Sequence, residues 1–277
     1  MDFVARTFRP SASVQCSAVT ANGVPAEWIA PIGLSTDRVA IYVHGGGFYS
    51  GSLAGARSVA GNIALASKAR VLTIDYRLAP EHPFPAALED ARTAYEWLLA
   101  SGVAPEAIVL VGDSAGGTLV LSLLIHLRDQ GKSLPRGAVC LSPATDLTLS
   151  GPTWALNARN DLLLDSEKIR AAIALYLHGA DPRTPLASPL YADLHALPPL
   201  LILVGSDERL LSDATRLAEK AQAAGVTVML EVWDRMQHGW HITPAFLPEG
   251  RQAIARIGQF IEWGSVGPNA REQALSA

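Results

Sequence analysis

The run Ile108-Val109-Leu110-Val111 is apolar at every position. A strand with one wet face alternates apolar and polar residues, so a run without alternation needs cover on both faces, as in a parallel sheet layered between helices. Further strand candidates are residues 38–43, 71–75, 137–141, 200–204 and 227–233, with 107–112 enclosing the run itself. Helical patterns fall at 54–66, 85–100, 115–129, 211–223 and 249–263. Strands that alternate with helices in this way predict an α/β fold with a mostly parallel central sheet and helices on both faces. An earlier pair, residues 14–20 and 25–30 around Asn22-Gly23, has the form of a hairpin at the sheet edge.

The 277 residues suit a single α/β domain with one continuous core. Only residues 146–196 break the alternation; they contain Pro152, Pro182, Pro185 and Pro189 and a helix-like stretch at 166–177. A long segment of this kind predicts a cap over a functional site, with residues 1–13 as a second, short cap element. A formal charge of −4 and a pI near 6.0 argue against a broad basic face for nucleic acid or anionic lipid, and favour a small-molecule partner. Cys16 and Cys140 stand far apart and in no metal-ligand spacing, so neither a disulfide framework nor a metal site is expected. The start lacks the apolar run of a secretory signal, and the longest apolar segment, 118–127, is too short to span a bilayer. A cytoplasmic protein without membrane insertion is the expectation.

Two glycine-rich junctions carry chemistry. Gly112-Asp113-Ser114-Ala115-Gly116-Gly117 follows an apolar strand and opens an apolar helix, the context of a nucleophile elbow. A serine at such a sharp turn needs small neighbours, and the helix behind it directs its N-terminal dipole at developing negative charge. Such a serine could also be a plain helix cap. The second junction, His44-Gly45-Gly46-Gly47-Phe48, also follows an apolar strand. Bare glycines let backbone N–H groups approach an oxyanion, which assigns Gly46, Gly47 and Ala115 to an oxyanion hole. A phosphate cradle is disfavoured because neither Lys-Ser/Thr nor the G-x-G-x-x-G spacing is present. His44, at the loop entrance, reads as a structural group.

These two segments, together with Asp75-Tyr76-Arg77-Leu78-Ala79-Pro80-Glu81-His82-Pro83-Phe84-Pro85-Ala86-Ala87, resemble the hormone-sensitive-lipase family of bacterial esterases. The likeness spans about residues 14–263. It implies an α/β-hydrolase fold and a serine carboxylesterase; the triad mechanism requires no metal or cofactor, and a short segment before His44 with a lid-like insert at 146–196 predicts short- to medium-chain acyl esters as substrates. Relatives usually carry additional N-terminal helices, so the resemblance implies a reduced cap here, and it also implies dimerisation through a sheet edge.

Of the histidines after Ser114, only His238 and His241 fall in a loop after the final strand. The run Asp234-Arg235-Met236-Gln237-His238-Gly239-Trp240 is similar to the family's histidine segment and puts the base at His238, with His241 as its rival. The resemblance puts the orienting acid at Asp207, in the loop after strand 200–204; Glu208 beside it is chemically competent too. Asp213 is expected to begin or face the next helix, while Arg77, Glu81, His82 and Asp90 are expected to form structural pairs. Phe48, Tyr49 and Trp240 are assigned to the substrate pocket, although aromatic residues there would equally serve the core. The competing functions are a non-catalytic receptor of the same fold, disfavoured by retention of Ser114, Asp207 and His238, and an amidase, lactonase or arylformamidase using the same residues.

Overall fold

The computed structural model describes residues 11–242 and 247–263. Strand β1 (Val14–Ala21) turns back into β2 (Val24–Pro31) through Asn22 and Gly23, whose φ angles of 48° and 95° are the left-handed values that an Asn-Gly hairpin turn requires. There follow β3 (Val39–Val43), α1 (Leu53–Ser67), β4 (Arg70–Ile74), α2 (Ala86–Ala100), β5 (Ile108–Asp113), α3 (Ala115–Asp129) and β6 (Gly137–Leu141). The long connection to β7 (Leu200–Gly205) holds the one-turn α4 (Thr153–Leu156) and α5 (Ser166–Leu177); α6 (Leu211–Ala223), β8 (Val228–Trp233) and α7 (Pro248–Trp263) complete the chain. Each strand, and each helix the sequence marks, lies within one residue of its expected bounds.

The strands form one eight-stranded sheet in the order β1-β2-β4-β3-β5-β6-β7-β8. The pairings of β1 with β2 and of β2 with β4 are antiparallel, and the rest are parallel. Strand β5 shows why its run is apolar throughout. Ile108 and Leu110 pack into a core with Leu98 of α2, Leu119 and Leu123 of α3 and Leu217 of α6. Val109 and Val111 face the other way, into Ile63 of α1 and Ile257 and Phe260 of α7. Each such side chain contributes about 1.5–3 kcal/mol on burial, and a polar residue at any of these positions would forfeit it. Among the described residues no helix is long and apolar enough to cross a membrane.

The strand order reverses at β3, which has β4 on one side and β5 on the other. At such a switch point the connections leave in opposite directions and open a crevice at the carboxyl ends of the strands. Here β3 ends at the glycine loop and β5 ends at Ser114, so the two motifs meet at this crevice. Residues between 144 and 173, in the connection from β6 to β7, line it. Helix α5 starts on Asp165, whose carboxylate accepts from Glu167 N–H and Lys168 N–H at 3.1 and 3.0 Å, and it is tied down through Tyr176, stacked on Phe48 at 3.8 Å. The second cap element, assigned to residues 1–13, lies outside the described residues except for 11–13.

Glycines make the crossing at the crevice possible. A Cβ on Gly116 would lie 2.0 Å from the carbonyl oxygen of Val43, and one on Gly112 would lie 2.3 Å from the carbonyl of Gly116. Both obstacles are backbone and cannot rotate away. Gly116→Ala should therefore destabilise the fold by about 1–3 kcal/mol in urea unfolding. Gly55→Ala, whose Cβ would meet nothing nearer than Ser52 Oγ at 3.7 Å, should be neutral or stabilising by up to about 1 kcal/mol. Equal effects at the two helical sites would refute the crossing as the cause.

Candidate active site

Ser114 stands between β5 and α3 at φ 52° and ψ −119°, a strained conformation for a residue with a side chain. It is held there by its N–H donating to Leu141 O at 2.8 Å and by its carbonyl accepting from Thr118 N–H at 3.2 Å. The turn presents Ser114 Oγ at the floor of the crevice, 3.1 Å from Nε2 of His238. The other ring nitrogen of His238, Nδ1, lies 2.9 Å from Oε2 of Glu208. The second oxygen of that carboxylate, Oε1, accepts from Gly205 N–H and Ser142 Oγ, both at 2.7 Å.

Glu208, and not Asp207, therefore faces the imidazole, which corrects the assignment of the acid. The turn after β7 brings Asp207 N–H to Met236 O and Glu208 N–H to Gly205 O, so the two side chains leave in different directions. Glu208 points inward under the histidine loop and is fully buried; Asp207 is half-exposed, and its carboxylate accepts Ser206 Oγ–H at 3.4 Å. No property of the two residue types separates them in sequence. His241, the rival base, is buried against Trp240, and neither ring nitrogen has a hydrogen-bond partner among the described residues. Burial lowers its pKa and outweighs the nearby charges of Asp113 and Glu208.

The same loops present backbone N–H groups to the crevice. Asp113 accepts Tyr42 Oη–H at 2.6 Å and Gly45 N–H at 2.9 Å on one oxygen, pinning the glycine loop to the elbow. Gly46 and Gly47 take φ values of 117° and 62°, and a Cβ on Gly46 would lie 2.1 Å from Ser50 O. The N–H groups of Gly46, Gly47 and Ala115 donate to no acceptor among the described residues, and all three residues line the space around Ser114. His44 is structural: its ring stacks on Tyr76 at 4.3 Å, and its Nδ1 meets Gly45 O at 2.7 Å.

Two cavities meet at Ser114. The first, about 30 Å³, is a narrow arm walled by Phe48, Leu147, Trp154, Ile169, Ile173 and Leu210. The second, about 490 Å³, is an open cleft that includes Tyr49, Leu163, Lys168, His238 and Ile242. Phe48 and Tyr49 thus line the site. Trp240 does not: it packs on Trp233 at 4.9 Å in the core beneath the sheet, because the short helical turn that follows His238 directs it away from the cleft. Several of the walls come from residues 147–173 and carry no sequence signal beyond being apolar. Asp213, in α6, accepts the N–H groups of Thr145 and Asp146, and burial pushes its carboxyl up to about 7. Arg77 pairs with Asp90 at 2.8 Å, whereas Glu81 and His82 are exposed.

Burial acts on His238 first and by itself would lower its pKa. The hydrogen bond and charge of Glu208, with the charges of Asp161 and Asp113, more than offset this, and the net shift is upward. If neutral His238 is the reactive form, kcat/KM for an uncharged ester should rise with pH through one ionisation centred above the ordinary histidine value of 6.5. A midpoint at or below 6.5 in a pH–rate profile would contradict this electrostatic balance.

Residues 40–242 match the family model described as the alpha/beta hydrolase fold. The chain is 44% identical over 243 residues to an acetyl-hydrolase of Streptomyces hygroscopicus, covering 88% of this chain and 81% of that one. It is 37% identical to an esterase of Acinetobacter venetianus over 94% of this chain and 86% of the relative. A crystal structure of an esterase from the bacterial hormone-sensitive lipase (HSL) family superposes with a TM-score of 0.91 at 50% identity, covering 93% of this chain and 87% of the other.

Proposed function

The chain belongs to the α/β-hydrolase family, among the bacterial hormone-sensitive-lipase esterases, and on that premise we propose that it is a serine carboxylesterase whose triad is Ser114, His238 and Glu208. The observation that carries this reading is the line of contacts from Ser114 Oγ to His238 Nε2 at 3.1 Å and from His238 Nδ1 to Glu208 Oε2 at 2.9 Å. His238 takes the proton of Ser114 as Oγ attacks the ester carbonyl, and Glu208 orients the ring and stabilises its cation. The N–H groups of Gly46, Gly47 and Ala115 receive the charge that builds on the carbonyl oxygen. The imidazolium returns the proton to the departing alkoxide, and water then repeats the sequence on the acyl-enzyme.

The need to protonate the leaving oxygen also orients the substrate. The alcohol must lie beside His238, which lines the open cleft, so the acyl group enters the narrow arm across Ser114. An arm of about 30 Å³ has room for roughly two water molecules, and longer chains gain their roughly 0.8 kcal/mol per methylene only where an apolar wall receives them. The substrates this favours are short acyl esters of alcohols that can be bulky.

Ser114→Ala should abolish turnover of p-nitrophenyl acetate and labelling by a fluorophosphonate, with the adduct on Ser114 of the unmodified protein found by mass spectrometry. A label on another serine would overturn the assignment. Glu208→Gln should lower kcat by up to about 10⁴-fold, while Asp207→Asn should stay within a small factor of the parent; the reverse order would return the role to Asp207. Across p-nitrophenyl esters, acetate to hexanoate should give the highest kcat/KM, with no jump in rate at a lipid–water interface. A maximum at decanoate or beyond would refute the orientation of the two arms.

A further inference from the structure

The loop carrying Glu208 is held from above as well as by the sheet. Asn157 Nδ2 donates to the carbonyls of Ser206 and Glu208 at 2.9 and 2.7 Å. The carboxylate of Asp161 accepts Arg209 N–H at 2.9 Å on one oxygen, and Leu163 N–H and Leu164 N–H at 3.2 and 3.1 Å on the other. Arg209 reaches back: its Nη1 donates to Trp154 O at 2.6 Å and Ser166 Oγ at 2.8 Å, and its Nη2 to Ala158 O at 3.1 Å. Thr153 Oγ1 donates to Arg209 O at 2.7 Å and accepts Ser212 N–H at 3.0 Å. Asp161 is 3% and Arg209 9% exposed, so both charges are committed to these contacts. Buried hydrogen-bonded charges of this kind tolerate little displacement, because a lost partner leaves an uncompensated ion.

We propose that Asn157, Asp161 and Arg209 are positioning residues that fasten the segment 153–166 to the Glu208 loop and so hold the Glu208 carboxylate on His238. The proposal rests on Glu208 being the acid of the triad. The cap segment is then part of the mounting of the catalytic base, in addition to walling the cavities through Trp154 and Leu164. It also brings a charge to the site. The charged and titratable groups around His238 are Glu208 from its loop, Asp161 from the cap, Asp113 from the end of β5 and His241 from the following turn, with Asp165 and Lys168 lining the same cleft.

A double-mutant cycle on ester hydrolysis tests this, with Asn157→Ala and Asp161→Asn each made alone and in Glu208→Gln, and with folding followed by circular dichroism. Each single cap variant should lower kcat on the order of 10-fold or more with little change in KM. In the Glu208→Gln background neither should lower it further, because the residue they position is no longer competent. Asp161→Asn should also move the acid limb of kcat/KM to lower pH, since it removes an anion that favours the imidazolium. Losses that multiply in the double variants, or single variants with unchanged kcat, would overturn the positioning role and leave the triad standing. A fully active Glu208→Gln would overturn the triad reading and this inference with it. Should Asp161→Asn not fold, Asn157→Ala, at a half-exposed site, decides by the same cycle.

Discussion

Everything at the reactive end of the sheet hangs on one close crossing of backbones. Strand β5 and helix α3 meet so tightly that Gly112 and Gly116 have no room for a side chain, and Gly116 also touches the end of β3 at Val43. That contact lets the chain reverse at Ser114 in a left-handed conformation and puts the start of α3 directly behind the hydroxyl. Asp113, at the position just before Ser114, reaches across to Tyr42 and Gly45. Ser114 and the glycine loop are therefore not independently placed; one steric constraint sets both.

The second half of the site is an electrostatic problem with a packing solution. A buried histidine resists protonation, yet under the proposed mechanism His238 must become a cation during turnover. The fold answers with three carboxylates around His238: Glu208 in contact, and Asp161 and Asp113 at longer range. Each of the three accepts backbone N–H or hydroxyl donors of its own. Asp213 makes a useful contrast. It too accepts two backbone N–H groups, but burial dominates and Asp146 repels it, and its carboxyl is pushed up instead.

The asymmetry of the cavities follows from the same arrangement. The arm is narrow because α5, which walls it through Ile169 and Ile173, is drawn onto the glycine loop by the stacking of Tyr176 on Phe48, a residue itself set by its positive φ of 67°. The cleft on the His238 side is far larger, about 490 Å³. Leu163 reaches over Gly239 there but remains largely exposed.

The architecture was legible in the sequence because burial on both faces leaves a local record. Runs such as Ile108 to Val111, the Asn22-Gly23 turn and the apolar helix behind Ser114 each state their own environment, so strands and helices, the elbow and the glycine loop could be placed from neighbouring residues alone. His238 was legible for a related reason, since few histidines follow the last strand. What the sequence could not decide was direction. Whether Asp207 or Glu208 faces the imidazole depends on how a turn after β7 is clamped by Met236, Gly205 and Ser142, contacts contributed from elsewhere in the chain. Trp240 was misread for the same cause: two residues beyond His238 a tight turn carries it into the core. The tie between Asp161 and Arg209 spans 48 positions, and the walls of the narrow arm come from a segment whose apolar residues look like any others. The identity of these elements is a property of the local chain, whereas the partners of a side chain are set by the elements packed against it, and only the folded molecule brings those together.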